Sequence, residues 1–448
     1  MWRYPFAGLV AVTLILAASQ PAIVGGLVLG EPAWQLAPES LRTPALANSA
    51  QPQLSVSDRG VLLSWIERAG DLATLRFAER TGSGWTEPRT IASGRDWFVN
   101  WADVPSALRL PSGVIVAHWL QKSGPDTYAY DVRLSYSKDD GKTWSPSFMP
   151  HQDGTRTEHG FASLFPIGDG LGLVWLDGRN MKPPSTRPGE NSGARSGQAG
   201  GHDGDHGAGA MSVRFARYDR NWKLVEESAL DERVCECCPT AAAVTADGVI
   251  AAYRDRSAGE IRDIHTARLV GGKWSAPAAV FNDGWTIAAC PVNGPALSAR
   301  ARDVVLAWFT VKQEQGQAYL AFSNDAGRSY GAPIRVDDGG SLGRVDVELL
   351  PDGAALATWI EFADQPVTPK PSGGGGRAQL RTRRIERTGA RSAAVTVAGI
   401  SGNRASGYPR VALHRGELLF AWTESADGGG LQVRTAITPL PASGATAR

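Results

Sequence analysis

Seven times along this chain an apolar run ends in a bulky aromatic residue, and this recurrence limits the fold more than any other feature. The runs are GVLLSWIE (Trp65), GVIVAHWL (Trp119), LGLVWLDGR (Trp175), GVIAAYRDR (Tyr253), DVVLAWFT (Trp308), GAALATWIE (Trp359) and GELLFAWTE (Trp422), spaced by roughly fifty to eighty residues. Each is followed by a third alternating run, such as ATLRFAER, DVRLSYSKD or QAYLAFSND. Several units add a Trp or Tyr shortly before a Pro, as in GWTEPRTI, TWSPSF, KWSAPAAV and SYGAPIRV. Alternation bounded by Gly, Asp and Asn turns is the pattern of antiparallel strands. Four strands per unit, seven units and no amphipathic helical stretch predict an all-β chain: a β-propeller of four-stranded antiparallel blades, seven by repeat count. The last unit has no fourth strand, and the segment PAWQLAPESLR precedes the first. Pairing the two would close the ring and remove its exposed edges.

Charge narrows the partners. With 46 basic and 45 acidic residues the net charge is +1, without the concentrated basic surface that nucleic acid or an anionic membrane requires. The N-terminus has one Arg and then an apolar run from Phe6 to Ala18, so residues 1–30 read as a signal peptide or an N-terminal membrane anchor. Residues 31–448 form the propeller, and both readings place it outside the cytoplasm, with a membrane engaged only through an uncleaved N-terminal segment. Flexible Gly/Pro/Ser-rich insertions fall near 182–210 and 364–377. In an oxidising compartment the even set Cys235, Cys237, Cys238 and Cys290 predicts one or two disulfides. The competing reading is a thiolate site for Cu or Zn that also draws on His159, His151, His202 or His206.

The segment SKDDGKTW (Ser137, Asp139, Gly141, Thr143, Trp144) matches the Asp-box pattern S-x-D-x-G-x-T-W, and SNDAGRSY (Ser323, Asp325, Gly327, Ser329, Tyr330) is a degenerate copy. With these motifs in a strand repeat, the chain resembles the BNR-repeat, exo-α-sialidase-like propellers along most of its length. The resemblance implies six blades as the alternative to seven. It also implies an arginine triad for a carboxylate, a Tyr/Glu nucleophile pair and an Asp acid. The F/Y-R-I-P motif that carries the first triad arginine in bacterial sialidases is absent.

In an up-and-down blade the loops entering first strands and leaving second strands share one face, and the Asp-box turns lie on the other. The first set holds DWFVNWADVP, HQDGTRTEHGF, RVCECCPT, YRDRSAGEIRDIH, GWTIAACPVNGP, SLGRVDV and ASGYPR, where charged, aromatic, His and Cys residues concentrate. A carboxylate-bearing ligand would be held there by Arg179, Arg254, Arg256 and Arg344 with Trp101 and Tyr408, because a guanidinium engages a carboxylate through two parallel hydrogen bonds. The same arginines stand beside Asp and Glu residues, and inter-blade ion pairs account for them equally well. Tyr253 or Tyr408 with Glu158 or Glu260, and Asp103 as acid, are the candidate catalytic set, although Tyr253 also fits as a core substitute for the recurrent Trp. Two functions follow. One is an exported sialidase-like glycoside hydrolase acting on an acidic sugar, needing no cofactor. The other is a non-catalytic propeller that binds a ligand or a metal on the cysteine-bearing face.

Overall fold

Each second strand carries its aromatic residue into the space between adjacent sheets, and this packing assembles the ring. Trp65, Trp175, Trp308, Trp359 and Tyr253 are fully buried. Trp65 and Trp359 donate their indole N–H to the carboxylate two residues on, Glu67 and Glu361, at 2.9 and 2.7 Å, and Trp175 does the same to Asp177 at 2.9 Å. Residues i and i+2 share a strand face, so the W-x-E/D spacing satisfies the one polar atom that a buried indole brings with it.

The computed structural model describes residues 1–2, 34–181, 209–363, 376–425 and 429–441. The candidate signal segment, His202, His206 and most of the two insertions lie outside them. Trp34–Ser443 form one compact unit. Among the described residues there are seven antiparallel sheets, six of four or more strands. The second (Ser106–Arg109, Ile115–Lys122, Tyr130–Ser137) has three, with Phe148 bridging to Leu134 where a fourth would lie. Seven blades, not six, make the ring, and one 3-10 turn, Arg404–Ser406, is the helical element among these residues. Glu39–Leu41, from the segment ahead of the first unit, pairs with Leu431–Pro439 of the last blade. The ring therefore closes with a strand from each end of the chain.

The seven innermost strands surround a channel cavity of about 270 Å³, lined among others by Ser55, Ser163, Ser298, Asp346 and Glu348. The Asp-box turns sit on one face. Ser137 Oγ accepts from the Gly141 N–H at 2.8 Å, and Asp139 accepts from the Thr143 N–H and hydroxyl at 2.9 and 2.7 Å. The degenerate copy repeats this with Ser323, Asp325, Gly327 and Ser329. Trp144 packs edge-on against Phe77 of the preceding blade. Gly141 has φ +80°, and a Cβ there would meet the Phe77 ring at 2.4 Å, so this turn requires glycine for two separate reasons.

Candidate functional site: the channel mouth

The opposite face gathers the loops that enter first strands and leave second strands. Three innermost strands reach it through an irregularity. Ser49–Ser57, His159–Ile167 and Ser341–Leu349 each have a register shift against the second strand and a non-glycine residue at positive φ: Gln51, Phe161 and Arg344 at +61°, +51° and +52°. Such bulges redirect side chains near functional faces.

One cluster is a buried acid set. Tyr130 Oη lies 2.7 Å from Glu158 Oε1 and 3.1 Å from Asp103 Oδ2, and Asp103 Oδ1 also accepts the Phe161 N–H at 2.7 Å. Gly160 allows this approach, since a Cβ there would stand 2.0 Å from Asp103 Oδ2. Burial raises the Asp103 carboxyl to about 7, against the hydrogen bonds from Phe161 and Tyr130. Burial likewise raises Glu158 to about 8, opposed by Tyr130 and reinforced by the charge of Asp103. Near neutral pH this set therefore holds protons that ordinary carboxyls have released.

Beside it, His151 and His159 stack with ring centroids 3.8 Å apart. Asp131 approaches one edge of the stack, 3.5 Å from His159 Nδ1, and Asp153 the other, 3.0 Å from His151 Nδ1 and 3.3 Å from His159 Nε2. Burial disfavours charge on both rings. Hydrogen bonding to Asp131 and Asp153 and the charge of Asp177 outweigh it for His159, which rises to about 9. His151 is pushed down by burial and by the charge of its neighbour.

A third cluster is sulfur. Cys235 ends the outer strand Leu224–Val234 of the third blade, and Cys237 and Cys238 lead into the inner strand of the fourth. Their three Sγ atoms lie within 4.8 Å of one another, with Cys235 3.9 Å from Cys237 and 2.7 Å from Cys238. Cys290, from the loop entering the fifth blade and half-buried, contacts Cys237. The neighbouring loops bring the four sulfurs together, and no disulfide joins Cys235, Cys237 and Cys238 in this structure. His159 does not join them, because Asp131, Asp153 and Asp177 hold it in its own cluster.

The arginines divide. Arg179 is held by Asp177 and Glu227, Arg256 by Glu236 and Glu260, and Arg262 by the same two glutamates. Arg254 donates to three backbone carbonyls, those of Asn293, Arg262 and Phe309. The side-chain partners of these four are all groups of the protein itself. Arg344 differs. Its one side-chain hydrogen bond among the described residues goes to the Asn403 carbonyl, its guanidinium stacks 4.8 Å from the Trp101 ring, and burial lowers it to about 10. Arg404 approaches the same ring at 6.0 Å, and Trp101 stacks on Tyr408 at 6.1 Å.

Two proposed roles need correction. Tyr253 is core, donating to Asp231 at 2.9 Å, while Glu260 belongs to Arg256 and Arg262, so the two form no catalytic pair. The tyrosine paired with a glutamate is Tyr130, which the sequence reading passed over inside TYAYD. Arg404 was also missed, although a signal existed: no Asp or Glu occurs from Arg387 to Gly416, a stretch with five arginines.

The sequence matches no family model and no curated protein. Solved structures similar to this chain include a protein of unknown function from Dyadobacter fermentans, 14% identical over 92% of this chain and 100% of that one, with TM-score 0.49. The phage phi92 endosialidase is 9% identical over 94% of this chain and 73% of its own (TM-score 0.49). A mutant of NanB sialidase from Streptococcus pneumoniae is 9% identical over 88% and 94% (TM-score 0.44). At these identities and TM-scores the likeness carries no argument, and the functional argument rests on the side chains of this chain alone.

Proposed function

We propose that the protein is an exported propeller that binds a small acidic sugar at the channel mouth and hydrolyses it as a sialidase-like glycosidase. The observation that carries this reading is Arg344: a buried guanidinium beside a second arginine and against an aromatic face, with no carboxylate in salt-bridge contact among the described residues. A buried cation without a counter-charge is costly, and a ligand carboxylate would supply one through two parallel hydrogen bonds. Trp101 offers a flat apolar platform for the sugar ring.

Asp103, raised to about 7 by burial, is the candidate general acid. Tyr130 donates to Glu158 at 2.7 Å, a tyrosine–carboxylate pair in which Glu158 can take the phenol proton only after losing its own, near pH 8. Because Tyr130 and Asp103 are fully buried, hydrolysis requires the groups that cover them to move. Calorimetric titration with free sialic acid and turnover of a fluorogenic sialoside test the two steps. The reading expects both in the wild type and at least a tenfold loss of affinity in Arg344→Ala. Binding without turnover would leave a sugar-binding module, and absence of both would remove the proposal.

A further inference from the structure

The thiols and the arginines around them form an arrangement that the sugar site does not use. Cys235, Cys237 and Cys238 are buried, and no cystine ties them. The turn through Glu236 and Cys237 curls the chain so that sulfurs at i, i+2 and i+3 face one point, and the Cys235 N–H donates to the Arg254 carbonyl at 2.9 Å, fixing the turn to the fourth blade. Cys290, half-buried, is the most exposed of the four. The result is a soft donor set.

The surrounding charge distinguishes the ways such a set can be used. Arg262 is buried, and its Nη1 points at Cys235 Sγ (3.4 Å) as well as Glu236 (2.9 Å). Arg254 is buried, all its hydrogen bonds go to carbonyls, and no carboxylate is in salt-bridge contact with it among the described residues. Its positive charge acts on Cys238, whose sulfur also accepts the Asn293 N–H. Carbonyls satisfy the N–H groups of Arg254 and the Trp285 ring lies 5.0 Å from its guanidinium, but none of these partners carries a full negative charge. Sulfurs that bind a cation as thiolates would set negative charge beside Arg254 and Arg262.

We propose that Cys235, Cys237, Cys238 and Cys290 form a binding site for one thiophilic cation, Cu(I) or Zn(II), at the channel mouth. Thiolate sulfur selects these ions over hard cations, and metal–sulfur distances of about 2.3 Å require the Cys235–Cys238 contact to open as the ion enters. Arg254 and Arg262 reduce the net negative charge of the occupied site and fix the positions of the sulfurs.

The test uses the whole chain, reduced and kept anaerobic, loaded separately with Cu(I) and with Zn(II), dialysed, and assayed for metal content. One equivalent of one of these ions should be retained, with X-ray absorption showing sulfur in its first shell. Cys238→Ser should lose it. Cys290→Ser changes a less buried position and guards against misfolding, and should weaken retention at least tenfold while leaving the far-UV spectrum and the thermal midpoint unchanged. Retention by neither ion would overturn the proposal, as would a first shell without sulfur. So would alkylation of the unreduced protein that finds all four sulfurs already in disulfides. Sialoside binding is not a readout, so failure of this site and failure of the sugar site remain distinguishable.

Discussion

Replacing Glu158 by Gln tests the acid set directly, because the change removes a charge and keeps the shape. The Glu158 carboxyl titrates from 4.5 in an unfolded chain to about 8 in the folded one, through burial first and the Asp103 charge next. A raised carboxyl pKa means that the folded state holds a proton the unfolded state has lost. Stability from this group is therefore full below pH 4.5, falls as pH rises, and is lost above pH 8. Over those 3.5 pH units, at about 1.4 kcal/mol each, the change is on the order of 5 kcal/mol. Glutamine is neutral throughout and retains an oxygen for Tyr130, so its folding carries no such slope. Glu158→Gln should match the wild type near pH 4.5 and exceed it by several kcal/mol near pH 8.5, while abolishing any sialoside turnover. Urea unfolding followed by tryptophan fluorescence at half-unit steps measures the difference, in which the slopes from Glu348 and His159 cancel. Parallel stability curves from pH 5 to 8.5 would refute the account of a buried, proton-holding Glu158.

Other positions give shorter tests. Arg109 and Glu79, both almost fully buried, pair through two hydrogen bonds of 2.7 and 2.8 Å; Glu79→Gln leaves a buried cation short of its partner and should cost about 3–5 kcal/mol in denaturant unfolding. Gly141→Ala places a methyl against Phe77 at a positive φ and should cost about 1–3 kcal/mol, seen as a lower thermal midpoint with the channel-mouth chemistry unchanged. A chain lacking residues 1–42 loses the Glu39–Leu41 strand, and with it the contact of the Thr435 hydroxyl with the Leu41 carbonyl. The bare edge of Leu431–Pro439 should then drive self-association visible by size-exclusion chromatography, and a peptide spanning residues 34–42 should reverse it.

The ring was legible because each blade repeats one physical requirement, a bulky aromatic side chain in the gap between sheets, and in three blades an acid two residues on takes its indole proton. The closing strand was legible for a related reason, since a seventh unit with three strands leaves an edge that some other segment has to cover. The outer strands of the third and sixth blades, Leu224–Val234 and Val395–Ser401, lack the aromatic-then-Pro signal and were not visible in advance. At the site, the loops bearing Asp103, Glu158, the cysteines and Trp101 were placed on the right face. Their partners were not, because ion pairing depends on side-chain direction, and one inserted residue reverses it. Nothing in the sequence marks Phe161 or Arg344 as left-handed, for neither is the glycine that such a φ favours.

That reversal explains why Arg344 is open when the arginines around it are not. Arg179 has Asp177 two positions away, Arg262 has Glu260 and Arg335 has Asp337, and each arginine pairs with that neighbour. Arg344 has Asp346 at the same spacing, but the pairing register shifts on both sides of Gly343, and Arg344 itself is left-handed. The alternation breaks between them. Asp346 turns into the channel, where its carboxylate accepts the Val411 N–H at 2.9 Å, and Arg344 turns to Trp101. Arg404 arrives from the stretch without acidic residues and brings no counter-charge of its own. The unpaired positive charge at the mouth therefore has a local structural cause. A change that restored regular pairing to the strand Ser341–Leu349 would let Asp346 reach Arg344 and close the site from within.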